Sequence, residues 1–126
     1  MGILSEKSLH FAARIIKLHR YLIVEKKEYV ISKQIVRSGT SIGANINEAN
    51  YGSSRADFIN KMQIALKEAA ETEYWLNLLI LSDYLPKQPG NDLLNGCLEI
   101  KRLLISTVNT AKAKGQDSST EIPPLE

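Results

Sequence analysis

Few residues in this chain are of types that do chemistry, and their spacing keeps them apart. His10 and His19 lie nine positions apart in one helical pattern. At about 100° per residue they fall on opposite faces, so they cannot share a metal or a substrate within one subunit. Cys97 is the lone cysteine, so no internal disulfide can form. No Cys pair, HExxH run or closely spaced His/carboxylate set offers a zinc site. Gly39-x-x-x-Gly43 is followed by no lysine–hydroxyl pair and preceded by no strand pattern, so it reads as a helix-packing motif and not as a phosphate loop. Glu68 and Glu71 are one helical turn apart and resemble paired carboxylates only by spacing. The expectation is a protein with no catalytic residue, no metal and no cofactor.

Binding residues are easier to find. Arg37, Asn45 and Glu48 on one helical segment and Glu68 and Glu71 on the next form a candidate polar network, read as structural. Arg37 offers a planar fork of donors that Glu48 or Glu68 can accept. The competing reading is a pocket for an anion or an RNA backbone. Lys7, Arg14, Lys17 and Arg20, with His10 and Tyr21, are placed on the face of the first helix opposite its core stripe. Lys26, Lys27 and Lys33 extend that basic surface, while Glu25 and Glu28 dilute it. Lys101 and Lys112, flanked by Ile105 and Val108, add a smaller basic stripe or a subunit contact. The net charge is +2, but residues 1–63 hold ten Lys/Arg against five Asp/Glu, and residues 64–126 hold six against nine. A positive N-terminal half permits contact with nucleic acid without demanding it.

Four periodic segments must position these groups. The first runs from about Ser5, a candidate N-cap, to Lys27, with Leu9, Phe11, Ala12, Ile15, Ile16, Leu18, Leu22 and Ile23 covering nearly half its circumference. In the second, about residues 30–50, Ile31, Ile35, Ile42, Ile46 and Ala49 recur at helical steps amid Gly39, Gly43 and several Ser, Thr and Asn residues. Each glycine costs roughly 1 kcal/mol against alanine there, so packing must hold this helix. Gly39 and Gly43 leave a groove where another backbone approaches closely. The third runs from about Arg55 to Asp83, after a cap at Ser53 or Ser54, and its main stripe is Phe58, Met62, Ala65, Leu66, Ala69, Thr72, Leu76, Leu79 and Ile80. Leu85-Pro86-Lys87-Gln88-Pro89-Gly90 breaks the chain, and the fourth runs from about Asn91 to Gly115, a candidate C′ residue. The expected fold is all-α, an antiparallel up-down-up-down four-helix bundle over residues 1–115 with a disordered tail at 116–126. Ile64, Trp75 and Leu78 form a second apolar patch beside Glu68 and Glu71, which marks a candidate oligomer interface. No apolar run reaches the ~20 residues that span a bilayer, and Met1–Lys7 shows no signal-peptide core. With one cysteine, the expected location is cytoplasmic.

The run Gln34-x-x-Arg37-Ser38-Gly39-Thr40-Ser41-Ile42-Gly43-Ala44-Asn45-Ile46-x-Glu48-Ala49 resembles the signature of the bacterial four helix bundle protein family, whose founding members are encoded in intervening sequences of 23S ribosomal RNA genes. Asp57-Phe58-Ile59-x-Lys61-Met62-x-Ile64-Ala65-x-Lys67-Glu68-x-x-Glu71-Thr72-x-x-Trp75-Leu76 is similar to that family's third helix. The resemblance covers about residues 5–112. It implies a ring-shaped homopentamer. A related branch serves reverse transcriptases of diversity-generating retroelements, where a basic barrel looks like a platform for RNA and the polymerase. The function expected is non-catalytic binding of RNA or a ribonucleoprotein by a homo-oligomer, with a protein-docking scaffold as the alternative.

Overall fold

A computed structural model describes the backbone of residues 2–121 and the side chains of residues 2–115. Four helices account for it: α1 (Ile3–Val24), α2 (Ile31–Asn50), α3 (Arg55–Leu81) and α4 (Lys87–Glu121), with no strand among the described residues. Each helix packs on the next in sequence, and α1 meets α4 with fewer close approaches of the two backbones. Cross-contacts fix the course of the chain. Between α1 and α2, Ile15 faces Gly39, Ser8 faces Gly43 and Ser5 bonds Asn50. Between α2 and α3, Thr72 meets Ser38 and Lys61 meets Glu48.

The isoleucine stripe of α2 is the centre of the core. Ile35, Ile42 and Ile46 are at most 1% exposed and meet Phe11, Ile15, Leu18 and Leu22 of α1 in one cluster with the Met62–Leu79 stripe of α3. Leu93, Cys97, Ile100, Leu104 and Val108 complete it from α4. The weak helix formers of α2 are held as their chemistry requires. Gly39 and Gly43 let α1 approach closely, at Ile15 and Ser8. Thr40 donates back to the Val36 carbonyl at 2.7 Å and Asn45 to the Ser41 carbonyl at 2.8 Å. The buried hydroxyls of Ser38 and Thr72 share a hydrogen bond of 2.8 Å, while the Glu68 carbonyl accepts from Thr72 at 2.8 Å. Neither hydroxyl is left unsatisfied in the core.

The helix ends depart from the sequence reading in informative ways. Ser5 is not the cap of α1. The helix begins after Gly2, and the Ser5 hydroxyl instead accepts from Asn50 Nδ2 at 2.9 Å. Glu28, assigned above to the surface, caps α2: its carboxylate accepts from the backbone N–H groups of Val30, Ile31 and Ser32 at 3.1, 3.0 and 2.7 Å. Ser54 caps α3 as expected, accepting from Asp57 N–H at 3.0 Å. The turns into α2 and α4 share a device, a non-glycine residue with positive φ, Lys27 (55°) and Asp83 (66°). In each, a backbone N–H six residues on, at Glu28 or Leu85, closes onto the Leu22 or Leu79 carbonyl.

Helix α4 starts earlier and ends later than expected. Pro89 is the third residue of the helix, where a missing N–H costs no intrahelical bond. Gly115 has no positive φ and so does not terminate α4, which continues to Glu121. The tail expected from residue 116 therefore has helical backbone as far as 121, and its last five residues, 122–126, lie outside the described ones. On α1, Leu9 (58% exposed) and Ile16 (43%) stand outside the core to which their periodicity assigned them. The buried stripe Phe11, Ile15, Leu18 and Leu22 is narrower than the apolar arc.

Candidate nucleic-acid interface

Of the basic residues of α1, Arg20 lies opposite the core stripe, as expected, but Lys7, Arg14 and Lys17 do not. They flank the seam with α4, because the buried stripe is narrow and Arg14, Lys17 and Tyr21 border it on that side. Arg14 and Lys17 rim a groove of about 510 Å³ whose other walls are Leu18, Tyr21, Leu85, Pro86, Pro89, Asp92 and Leu93. A second groove of about 460 Å³ continues along the seam past Lys7, His10, Arg14, Gly96 and Glu99. Gly96 explains where Arg14 sits. A Cβ on Gly96 would lie 3.3 Å from Arg14 Nη1, so the guanidinium crosses α4 over a residue with no side chain. Nothing in the sequence pattern singled out Gly96, because its role depends on which helix faces it.

The four candidate cations are not equivalent. Lys7 Nζ pairs with Glu99 Oε2 at 3.2 Å, which spends much of its charge locally. Arg14, Lys17 and Arg20 are exposed, and none makes an ion pair or a hydrogen bond among the described residues. Each three-residue step advances ~4.5 Å along α1 and turns back by about 60°, so the row slants from Arg14 at the α4 seam to Arg20 on the side away from the core. That gives a line of unneutralised positive charge. Lys101, by contrast, pairs with Glu73 at 2.6 Å, and Val108 is core, so the basic stripe proposed with Lys112 on α4 is broken up.

The polar network divides into three parts. Arg37 Nη1 donates to Glu68 Oε1 at 3.2 Å and Nη2 donates to Glu71, which also accepts from Trp75 Nε1 at 2.9 Å. Glu48 instead pairs with Lys61 at 2.9 Å, and Asn45 serves its own helix. The Arg37 side chain is 50% exposed, so this is a surface cluster spanning α2 and α3 and not a core network. One guanidinium facing two carboxylates has the wrong sign for holding phosphate. The Arg37 hydrogen bond, followed by that from Trp75, holds the Glu71 carboxyl below its ordinary range, against a smaller opposing effect of burial. The same contact raises Arg37 further, with desolvation opposing it. A carboxylate held ionised suits an ion pair, whereas a general acid needs the opposite shift.

Of the candidate interface residues, Ile64, Trp75 and Leu78 are all half-buried, and Trp75 packs on the core of its own subunit. More apolar surface is open elsewhere: Leu9 and Ile16 on α1, Tyr74 and Leu81 on α3. His10 is exposed and His19 half-buried, and among the described residues no His, Cys, Asp and Glu group is arranged to hold a metal. No described helix is long and apolar enough to cross a membrane.

Comparison with known proteins gives the chain its relatives. The family model for 23S rRNA-intervening sequence proteins matches residues 3–106. No curated protein matches. Among solved structures, the chain is similar to a protein with unknown function from the S23 ribosomal protein family of Bacteroides thetaiotaomicron VPI-5482. The two are 57% identical with a TM-score of 0.83, over 84% of this chain and 98% of that one. With a match over this much of its length, and with the Gly39–Gly43 helix packed at the centre of its core, the chain belongs to the 23S rRNA-intervening sequence protein family.

Proposed function

We propose that the protein is a non-catalytic, cytoplasmic homo-oligomer, a ring of antiparallel up-down-up-down bundles with five subunits, that binds RNA or a ribonucleoprotein along α1. The observation that carries this reading is the line of Arg14, Lys17 and Arg20. These stay free of partners while Lys7, Arg37, Lys61 and Lys101 are all paired with carboxylates. Repetition of that line around a ring multiplies phosphate contacts without any new contact in one subunit. The descending cross-contacts from Ile15–Gly39 to Ser5–Asn50 support the antiparallel course.

The test is binding of mixed-sequence RNA across a salt series, with oligomer mass measured in the same samples. Each phosphate neutralised on a single strand contributes a slope of about −0.7 in log K against log salt, so three contacts per subunit give roughly −2. Reversal of Arg14 and Lys17 to Glu should lower affinity and flatten that slope. A ring that binds no RNA even at low salt would leave the protein-docking scaffold as the better reading. The exposed Leu9 and Ile16 favour that second reading as surfaces for a protein partner or another subunit.

A further inference from the structure

We infer that the α1–α4 groove takes an unpaired nucleobase, so that the protein distinguishes single-stranded RNA from duplex. The inference rests on the RNA reading above and gives it a substrate class. Phosphate recognition needs only the exposed cations. It does not need the groove beside them, whose volume of about 510 Å³ falls in the range of small-ligand pockets, roughly 300–1,000 Å³.

The groove is built unevenly. Its α1 rim carries Arg14 and Lys17, and its α4 wall carries Asp92. A phosphate is attracted to the first side and repelled from the second, so an extended strand has one favourable orientation, backbone along α1 and base towards α4. Between the rims the lining is apolar and stiff: Leu85 and Leu93 are buried, and Pro86 and Pro89 stand exposed at the start of α4. Tyr21, half-buried and packed on the core, gives the groove an aromatic ring held in place. A flat, apolar-faced body next to a phosphate is a nucleotide, and an aromatic ring with a neighbouring guanidinium is the usual platform for a splayed base. In a duplex the bases are stacked inside the helix and cannot enter. The groove lies where α1 and α4 approach each other less closely than the other neighbouring pairs do, with Leu85 buried in its lining.

Fluorescence anisotropy with three probes of one length tests this: a single-stranded RNA, the same sequence annealed as duplex, and a single strand of abasic nucleotides. The abasic strand keeps the phosphates and removes the bases. One accommodated base contributes about tenfold, so the intact single strand should bind roughly ten times more tightly than the other two at physiological salt. Tyr21→Leu and the groove-filling, non-aromatic Pro89→Leu should bring it down to their level, whereas Arg14→Glu should weaken all three together. Pro89 is exposed, so its variant leaves the core intact and guards against loss of folding in the Tyr21 variant. Equal, salt-steep binding of all three probes would overturn the groove inference and leave the RNA reading standing. Failure of every probe at low salt would overturn the reading itself. Displacement of bound RNA by an acidic, leucine-containing peptide, without any preference for bases, would overturn the inference in favour of a protein ligand.

Discussion

Substituting alanine at Gly39 and, separately, at Gly43 should move stability in opposite directions, although both glycines lie in the same helix. In each case alanine removes a helix-propensity penalty of about 1 kcal/mol. At Gly39 the new methyl would fall 2.8 Å from Ile15 Cγ2, 2.9 Å from Cγ1 and 3.3 Å from Cβ. Ile15 is fully buried, and these atoms are the branch point of its side chain, which cannot swing aside. Overpacking costs about 1–3 kcal/mol, and two contacts under 3.0 Å to a branch point put this site in the upper part of that range, so after the propensity gain Gly39→Ala should end up about 1–2 kcal/mol below wild type. At Gly43 the nearest atoms are Ser8 Oγ at 3.3 Å and the Ser8 carbonyl at 3.4 Å, a distance that small adjustments can absorb. Gly43→Ala should therefore be neutral or gain up to ~1 kcal/mol. Thermal unfolding followed by circular dichroism, at one fixed protein concentration because assembly shifts apparent stability, should show Gly39→Ala melting roughly 4 °C or more below wild type. Ile15→Ala should cost about 2–5 kcal/mol alone, and the double variant with Gly39→Ala should lie about 1–2 kcal/mol above the sum of the two losses. A Gly39→Ala protein as stable as wild type, or a cycle that closes additively, would refute the claim that the approach of α1 selects glycine here.

Three further outcomes follow from single contacts. The folded-state pKa of Glu71 is lowered by Arg37, so its contribution to stability is complete above the ordinary carboxylate range and is lost as pH falls through the lowered value. Glu71→Gln should accordingly be less stable than wild type near neutrality, by about 0.5 kcal/mol given the half-exposed Arg37, with the difference closing in acid. Trp75, the one tryptophan, bonds Glu71 and gives a fluorescence readout, and an unchanged gap down to the lowest pH would contradict the pairing. Burial pushes the Cys97 thiol up to about 12, and Sγ contacts the Ala69 carbonyl at 3.3 Å, so a thiol reagent at pH 8 should label the protein only as it unfolds; prompt labelling of the native protein would show that α3 and α4 are less closely packed. Lys27→Gly should raise stability by about 0.5–1 kcal/mol in urea unfolding, since a left-handed residue with a Cβ costs about 1–2 kcal/mol, of which glycine's chain entropy takes back part. A loss on that substitution would mean that Lys27 makes up for its backbone in another way.

Periodicity revealed the fold because the α2 stripe, Ile35 to Ala49, and the α3 stripe, Met62 to Leu79, are strong enough to survive their poor neighbours. Leu9 and Ile16 misled because an apolar arc on one helix does not say how wide the facing helices are. The terminus of α4 misled because glycine ends a helix only where the chain takes a positive φ, and at Gly115 it does not. At the candidate interface the residue types on α1 were legible but their surroundings were not. Whether a lysine is available depends on which carboxylate lies across the next helix. Glu99 faces Lys7 and Glu73 faces Lys101 from positions remote in sequence.

That dependence is why net charge is a poor guide to this surface. A value of +2 describes a nearly neutral protein, and a phosphate backbone does not respond to the sum. It responds to the local charge, over a Debye length of about 10 Å at 0.1 M salt, of cations that no contacting carboxylate neutralises. Pairing removes Lys7, Arg37, Lys61 and Lys101 from that set, and among the cations that remain Arg14, Lys17 and Arg20 follow one another on successive turns of α1. Gly96 then carries Arg14 across to α4, where positive charge meets the apolar groove. The methyl of Gly96→Ala, 3.3 Å from the guanidinium, could be absorbed by a small shift, but the longer side chain of Gly96→Leu would occupy the guanidinium's place and displace the arginine without altering any charge. Affinity for RNA should fall severalfold while net charge stays the same. If affinity instead tracked only the total charge of variants, the position of Arg14 would be irrelevant and the α1–α4 seam would not be the site.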